Sequence, residues 1–143
     1  MKLTSLEFAA WILPLVLALG SPMPLEAEDV SRTVQDGVYS KAQASRGRNA
    51  YQRLCRTCHE TKEFEAGYME TWSGRTAFDL FDMLRTTMPE EAPGIGGSEG
   101  YTDIVAYMFR LSELPPGEED MKSDEEALKL IRIEGPFGES DDP

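Results

Sequence analysis

"RLCRTCHE", residues 53–60, holds both cysteines and the single histidine of the 143-residue chain within five consecutive positions. Thiol, metal or covalent-attachment chemistry must therefore pass through Cys55, Cys58 and His59. Upstream, "KAQASRGRNAYQRLCRTC" is rich in good helix formers, with small or apolar residues at Ala44, Gly47, Tyr51, Leu54 and Cys58, three or four apart. Ser40 stands where an N-cap belongs, and arginines gather at the far end, where the helix dipole is negative. The spacing predicts a helix from Lys41 with the two cysteines at its C-terminal end.

Downstream, "TAFDLFDMLRTT" predicts a second helix. Thr76 and Asp79 have capping-box spacing, and Ala77, Leu80, Phe81, Leu84 and Met88 fall on one stripe. The following "MPEEAPGIGG" has two prolines and three glycines and must be a loop. A third helix is expected from Ser98 as N-cap through "EGYTDIVAYMFRLSEL", stopped by Pro115 and Pro116. "SDEEALKLIRI" predicts a last short helix, with Ser123 and Glu126 at capping-box spacing, and "GPFGESDDP" a frayed tail. No run alternates as a strand does, so the expected class is all-α.

The chain is about one domain long and nothing in it repeats. Its formal net charge of −12 argues against nucleic acid and for protein partners selected by charge. At the start, Lys2 and the apolar run "FAAWILPLVLALG", residues 8–20, read as an export signal, short of the roughly 20 residues that cross a bilayer. The organisation expected is a signal peptide over 1–27, an irregular lead-in over 28–40, a helical domain over 41–114 and an acidic C-terminal extension with a short helix over 115–143. Losing Lys2, Glu7 and Glu26 with the leader removes one net negative charge and leaves −11. Against that background, residues 41–62 carry Lys41, Arg46, Arg48, Arg53, Arg56 and Lys62 against Glu60, a local excess of five positive charges.

Cys55-Arg56-Thr57-Cys58-His59 is a C-x-x-C-H sequence, which reads as a covalent attachment site for c-type haem. Two thiols on about one helical turn reach the two vinyl groups of one porphyrin edge, and the adjacent imidazole turns under the ring to the iron. Structural zinc takes four ligands, and the Cys and His residues of this chain supply three. A thioredoxin-like dithiol belongs after a strand in a βαβ unit, and no such strand is visible. A Cys55–Cys58 disulfide would close a tiny loop and add little stability. The expected helical domain, about 74 residues from Lys41 to Leu114, buries too little by itself, and a large apolar cofactor at its centre would change that balance.

A second axial ligand then has to be found, and the sole histidine excludes a bis-histidine iron. Methionine, lysine, water or an open position remain. Met1 and Met23 lie in the leader region, Met69 ten residues from His59, Met83 within a helix, Met108 within the last core helix and Met121 in the acidic tail. Met88 is expected at a helix end, where Pro89 restricts it to extended backbone and lets its thioether project from a loop. Trp72 and Arg75 have two open readings: partners of a haem propionate, or a core indole and a solvated guanidinium.

With Gly47, Tyr51, "CRTCH", Met88-Pro89 and Tyr107 in place, the chain resembles the monohaem class I cytochromes c. In that family the first and last core helices cross beside the haem, and "GRNAY" and "IVAYM" look like the crossing points. "TTMPEEAPG", "YTDIVAYMFRLSELPPG" and "ALKLIRIE" are similar to the small cytochromes and cytochrome domains that serve quinoprotein dehydrogenases using pyrroloquinoline quinone. The resemblance covers about residues 47–134. It implies a class I cytochrome c fold of about three core helices and one haem c, thioether-bound by Cys55 and Cys58, with His59 and Met88 on the iron. It also implies a periplasmic carrier of single electrons, not itself an enzyme, between a quinoprotein dehydrogenase and an oxidase or further cytochrome. A thiol-disulfide oxidoreductase using Cys55 and Cys58, or a haem sensor with an open sixth position, are the alternatives. The chain departs from the family at Glu60, where glycine is common, and in having no proline between His59 and Met88. Family members often fix the proximal imidazole through a carbonyl beside such a proline.

Overall fold

The computed structural model describes residues 31–65 and 67–137, so the leader reading over 1–27 lies outside the described residues. A two-residue strand β1 (Arg32–Thr33) and a single 3-10 turn (Val34–Asp36) lead into α1 (Lys41–Leu54). Two further 3-10 turns (Thr61–Phe64 and Tyr68–Trp72) precede α2 (Ala77–Thr87), then α3 (Gly97–Leu111), the short α4 (Glu125–Lys129) and strand β2 (Ile131–Arg132). The all-α expectation holds, and α1 packed on α3 forms its centre.

Local chemistry fixes the helix starts. The Ser40 hydroxyl accepts the Gln43 N–H at 2.9 Å and begins α1. At α2, Thr76 Oγ1 accepts the Asp79 N–H while Asp79 accepts the Thr76 N–H at 2.7 Å, the expected capping box. Two expected caps are corrected. The α3 helix begins at Gly97 with Gly96 as N-cap, not with Ser98, and no side chain caps it, because Gly97 at φ +65° turns the chain into the helix two residues earlier. The α4 helix is capped by Asp124, which accepts the Ala127 N–H at 2.9 Å, in place of Ser123 with Glu126. That register buries Leu128 completely.

The helices meet at a glycine. A Cβ added to Gly47 would lie 1.8 Å from the Asp103 carbonyl oxygen and 2.9 Å from Tyr107 Cβ, so α1 lies backbone against backbone on α3. Only the absence of a side chain permits that approach. Tyr51 and Tyr107 then stack at 5.5 Å between ring centroids, next to the crossing.

The flanks expected as lead-in and acidic extension are packed into the core. Val34, Val38 and Tyr39 from one side and Met121, Leu128, Ile131 and Ile133 from the other are buried with the helices. The strands β1 and β2 pair in parallel, Arg32 with Ile131 and Thr33 with Arg132, although no strand was expected. Two residues are too few to show an alternating pattern, and their partners are about a hundred positions apart. At Gly117, an added Cβ would sit 1.9 Å from the Gly37 carbonyl, and the Gly117 N–H donates to Tyr39 O at 2.7 Å. Met121, placed by the sequence in the acidic tail, has both backbone groups paired with the buried Gln43 amide, at 2.7 and 2.8 Å. These contacts enlarge the small core anticipated for residues 41–114.

Replacing Gly47 by alanine should force the α1–α3 crossing apart and destabilise the full chain by about 1–3 kcal/mol, the usual range for overpacking. Urea unfolding with an unchanged midpoint would contradict the crossing. Acid should also weaken the fold. Backbone hydrogen bonds at Thr33 and Thr76 hold the Asp36 and Asp79 carboxyls below their usual range, and the Ser40 hydroxyl does the same for Asp120. Their stabilisation is present above the ordinary value of 3.8 and is lost as pH falls through the depressed folded-state values. The unfolding midpoint should therefore fall below about pH 4, and less steeply in Asp79→Asn, because one of the three linked carboxyls is gone.

Candidate functional site

The chain leaves α1 at Cys55, whose N–H still donates to Tyr51 O at 2.8 Å. A tight turn follows, in which the His59 N–H donates to Cys55 O at 3.0 Å. Tyr51 closes the turn from inside, its phenol donating to the His59 carbonyl at 2.8 Å. Burial pushes that phenol up to about 12, so it stays protonated and remains a donor. The motif is therefore held as a compact loop at the C-terminal end of α1, as its position in the sequence predicts.

Cys55, Cys58, His59 and Met88 all line one cleft of about 400 Å³ with a mainly apolar wall. Tyr51 and Leu54 come to it from α1, Phe64 and Tyr68 from the 3-10 turns, and Ile104 and Met108 from α3. That volume and lining lie in the roughly 300–1,000 Å³ range of small-molecule and cofactor sites. A second, larger cavity of about 710 Å³ lies elsewhere, between Gln43, Arg46, Asp103, Asp120 and Asp124. Its wall is polar, and Arg46 already pairs with Asp103 at 3.1 Å and Asp120 at 2.6 Å, so the smaller apolar cleft is the candidate site.

Met88 ends α2 as the expected loop residue. Its backbone is extended at φ −125° and ψ 144°, and its carbonyl accepts the Tyr101 phenol at 2.6 Å, which ties the loop to α3. Met83 and Met108 line the cleft too, so lining alone does not single out one sulfur. Met69 and Met121 are buried away from it. Trp72 and Arg75 pair with each other, the guanidinium 5.2 Å over the indole, and neither lines the cleft.

Two features were not anticipated from the sequence. The Glu63 carboxylate stands 3.1 Å from His59 Nδ1, and Phe64 packs 5.8 Å from the imidazole. The four-residue spacing of His59 and Glu63 was a readable signal. Phe64, Tyr68 and Ile104 were not, since only the fold gathers them.

Burial drives the Cys55 thiol up to about 11. A nucleophilic cysteine needs a lowered pKa and gains it at a helix N-terminus or beside a cation; Cys55 sits at a helix C-terminus and is held as a neutral thiol. This environment disfavours the dithiol chemistry and suits a thiol consumed in a covalent bond.

The comparisons agree. Residues 42–108 match the family model described as cytochrome c oxidase, cbb3-type, subunit III, a little under half of the chain. No curated protein and no solved structure matched. The match and the helical architecture support a monohaem c-type cytochrome with the class I all-α fold. Its cofactor is covalently bound haem c with iron, and Cys55 and Cys58 have the spacing that attachment requires. The apolar cleft holding both thiols, an imidazole and a methionine fits that group.

Proposed function

We propose that this protein is an exported carrier of single electrons that receives them from a periplasmic quinoprotein dehydrogenase and passes them toward a terminal oxidase. The coarser statement, a haem-based electron-transfer module that is not itself an enzyme, follows from its cytochrome c domain. The observation that carries the haem-based part of this reading is the convergence of Cys55, Cys58, His59 and Met88 on one apolar cleft.

In this reading Cys55 and Cys58 would form the thioethers, and His59 and Met88 would hold the iron. Bound there, haem c supplies a one-electron iron centre whose potential a methionine sulfur raises relative to a second histidine. Were His59 and Met88 both to hold the iron, no open position would remain for a substrate, which would suit transfer and disfavour the open-site sensor. Tyr101 holds the Met88 carbonyl and Tyr51 the His59 carbonyl, so both ligands are anchored through their own backbones to the α1–α3 pair. Leu54, Leu84, Ile104 and Met108 supply apolar wall to the cleft.

The partner reading rests on charge and on the matched family. Of the basic residues around the motif, Arg46 and Lys62 are paired with Asp103, Asp120 and Glu60. Arg53 and Arg56 are exposed and have no ion-pair partner among the described residues. They stand beside Cys55 and Cys58 as a positive rim for an acidic docking surface, which favours fast, salt-sensitive association. The matched family's description names an oxidase subunit, which supports an oxidase as the electron acceptor. Among the described residues no helix is long and apolar enough to cross a membrane.

The oxidised protein should be reduced by a quinoprotein dehydrogenase turning over its substrate, and re-oxidised by membranes containing an oxidase; failure of both in stopped flow would refute the pathway. In the oxidised form, the weak sulfur-to-iron charge-transfer band should vanish in Met88→Ala and persist in Met83→Ala and Met108→Ala. Loss in either of the latter two alone would move the ligand to that sulfur.

A further inference from the structure

Behind His59, outside the lining of the cleft, stands a carboxylate where the resembled family uses a carbonyl. Glu63 Oε2 lies 3.1 Å from His59 Nδ1, and its other oxygen accepts the Glu60 N–H at 2.8 Å. A 3-10 turn (Thr61–Phe64) presents the side chain, the Glu63 N–H donating to the Glu60 carbonyl at 3.1 Å. That turn is itself fixed: the Phe64 ring meets Tyr51 at 5.9 Å and Tyr68 at 5.0 Å, and the Ser112 hydroxyl donates to Phe64 O at 3.0 Å. The imidazole is thus addressed by a carboxylate whose second oxygen and whose backbone are both held.

We propose that Glu63 is a positioning residue for His59, which fixes the imidazole with Nε2 toward the haem iron and lowers the reduction potential of the protein. The inference rests on the reading of His59 as an iron ligand. An ionised carboxylate only accepts hydrogen bonds, so Nδ1 carries the proton and the lone pair is left on Nε2. Both Glu63 oxygens face nitrogen atoms, one the Glu60 N–H at 2.8 Å and the other His59 Nδ1 at 3.1 Å. Lys62, the nearest cation in sequence, is drawn to Glu60 at 2.8 Å. A metal-bound histidine that donates its other N–H to a carboxylate becomes a more basic ligand, which favours the higher oxidation state of the metal. Its effect opposes that of the Met88 sulfur, so the pair would set the potential between them. Glu63 is 45% and His59 35% exposed in their side chains, which screens the interaction and keeps the effect moderate.

The departures of the sequence from the family fall on this arrangement. With no proline between His59 and Met88, the family's carbonyl partner is missing, and the chain places Glu63 one short turn beyond the histidine instead. Glu60 takes part through its backbone N–H, and its side chain engages Lys62.

The test uses the haem-loaded full chain and its Glu63→Gln and Glu63→Ala variants. Glu63→Gln keeps an acceptor and removes the charge; Glu63→Ala removes both. Spectroelectrochemical titration should give potentials rising from wild type through Glu63→Gln to Glu63→Ala. The last should shift the reduced-to-oxidised ratio at fixed poise by about tenfold, which is ~59 mV for one electron. In the reduced, diamagnetic form the His59 Nδ1 proton should resist exchange in wild type and exchange rapidly in Glu63→Ala. Denaturation midpoints and the visible spectrum should stay as in wild type for Glu63→Gln, which separates tuning from general loosening. Equal potentials in all three proteins, with the wild-type spectrum retained, would overturn the role of Glu63 and leave the ligation standing. Wild-type His59 ring resonances without the large shifts of an iron ligand would overturn the ligation, and the proposal with it.

Discussion

The close approach of α1 and α3 at Gly47 is the constraint on which the rest of the structure depends. Because the Asp103 carbonyl occupies the space where a Cβ would stand, the two helices are locked in register as well as in distance. That register sets Tyr51 against Tyr107 and carries the end of α1, with Cys55, to the edge of the cleft that Ile104 and Met108 line from α3. The α3 helix then reaches the loop after α2 through Tyr101, whose phenol holds the Met88 carbonyl. One backbone contact between two helices thereby places residues that lie 29 or more positions apart along the chain.

Around that pair the flanking segments act as straps. The Gln43 amide is buried and pairs both ways with the backbone of Met121, and neither group can be exposed or deleted without leaving a buried partner unsatisfied. The surface ion pairs nearby, Arg46 with Asp103 and Asp120, are half-exposed and contribute little by comparison. Apolar burial of Val34, Tyr39, Leu128 and Ile133 supplies the larger share, because a helical core of this size is otherwise short of apolar area. The acidic character of the C-terminal region and its burial are compatible: the charged residues of "GEEDMKSDEE" face solvent while Met121 and Leu128 point inward.

What was legible in the sequence followed short-range chemistry. Cys55, Cys58 and His59 identify themselves because their chemistry requires fixed spacing over five residues. Capping pairs such as Thr76 with Asp79 are readable because both partners sit within one turn. The place of Met88 at the end of α2 is readable from Pro89, whose steric demand on the preceding residue is local and is met by the extended backbone observed. Less visible were arrangements in which partners are far apart. Gln43 with Met121, Gly37 with Gly117 and the two-residue strands each join segments separated by more than seventy positions, and no periodicity records them. The caps of α3 and α4 lie at Gly96 and Asp124, two residues before and one residue after the expected serines, since burial of an apolar face, not the nearest serine, selects the register.

By itself the sequence determined the chemistry: a C-x-x-C-H motif at the end of a helix, an all-α chain, and a methionine pre-set by a proline. Tertiary structure decided how that chemistry is housed. It brought the motif and Met88 into one apolar cleft, put Glu63 rather than a proline-flanked carbonyl on the imidazole, and turned an apparent tail into core. The division has a physical reason. Bond-forming groups and caps act over one or two turns and leave a pattern in the sequence, whereas packing depends on which surfaces meet, and that is settled only when the whole chain has closed on itself.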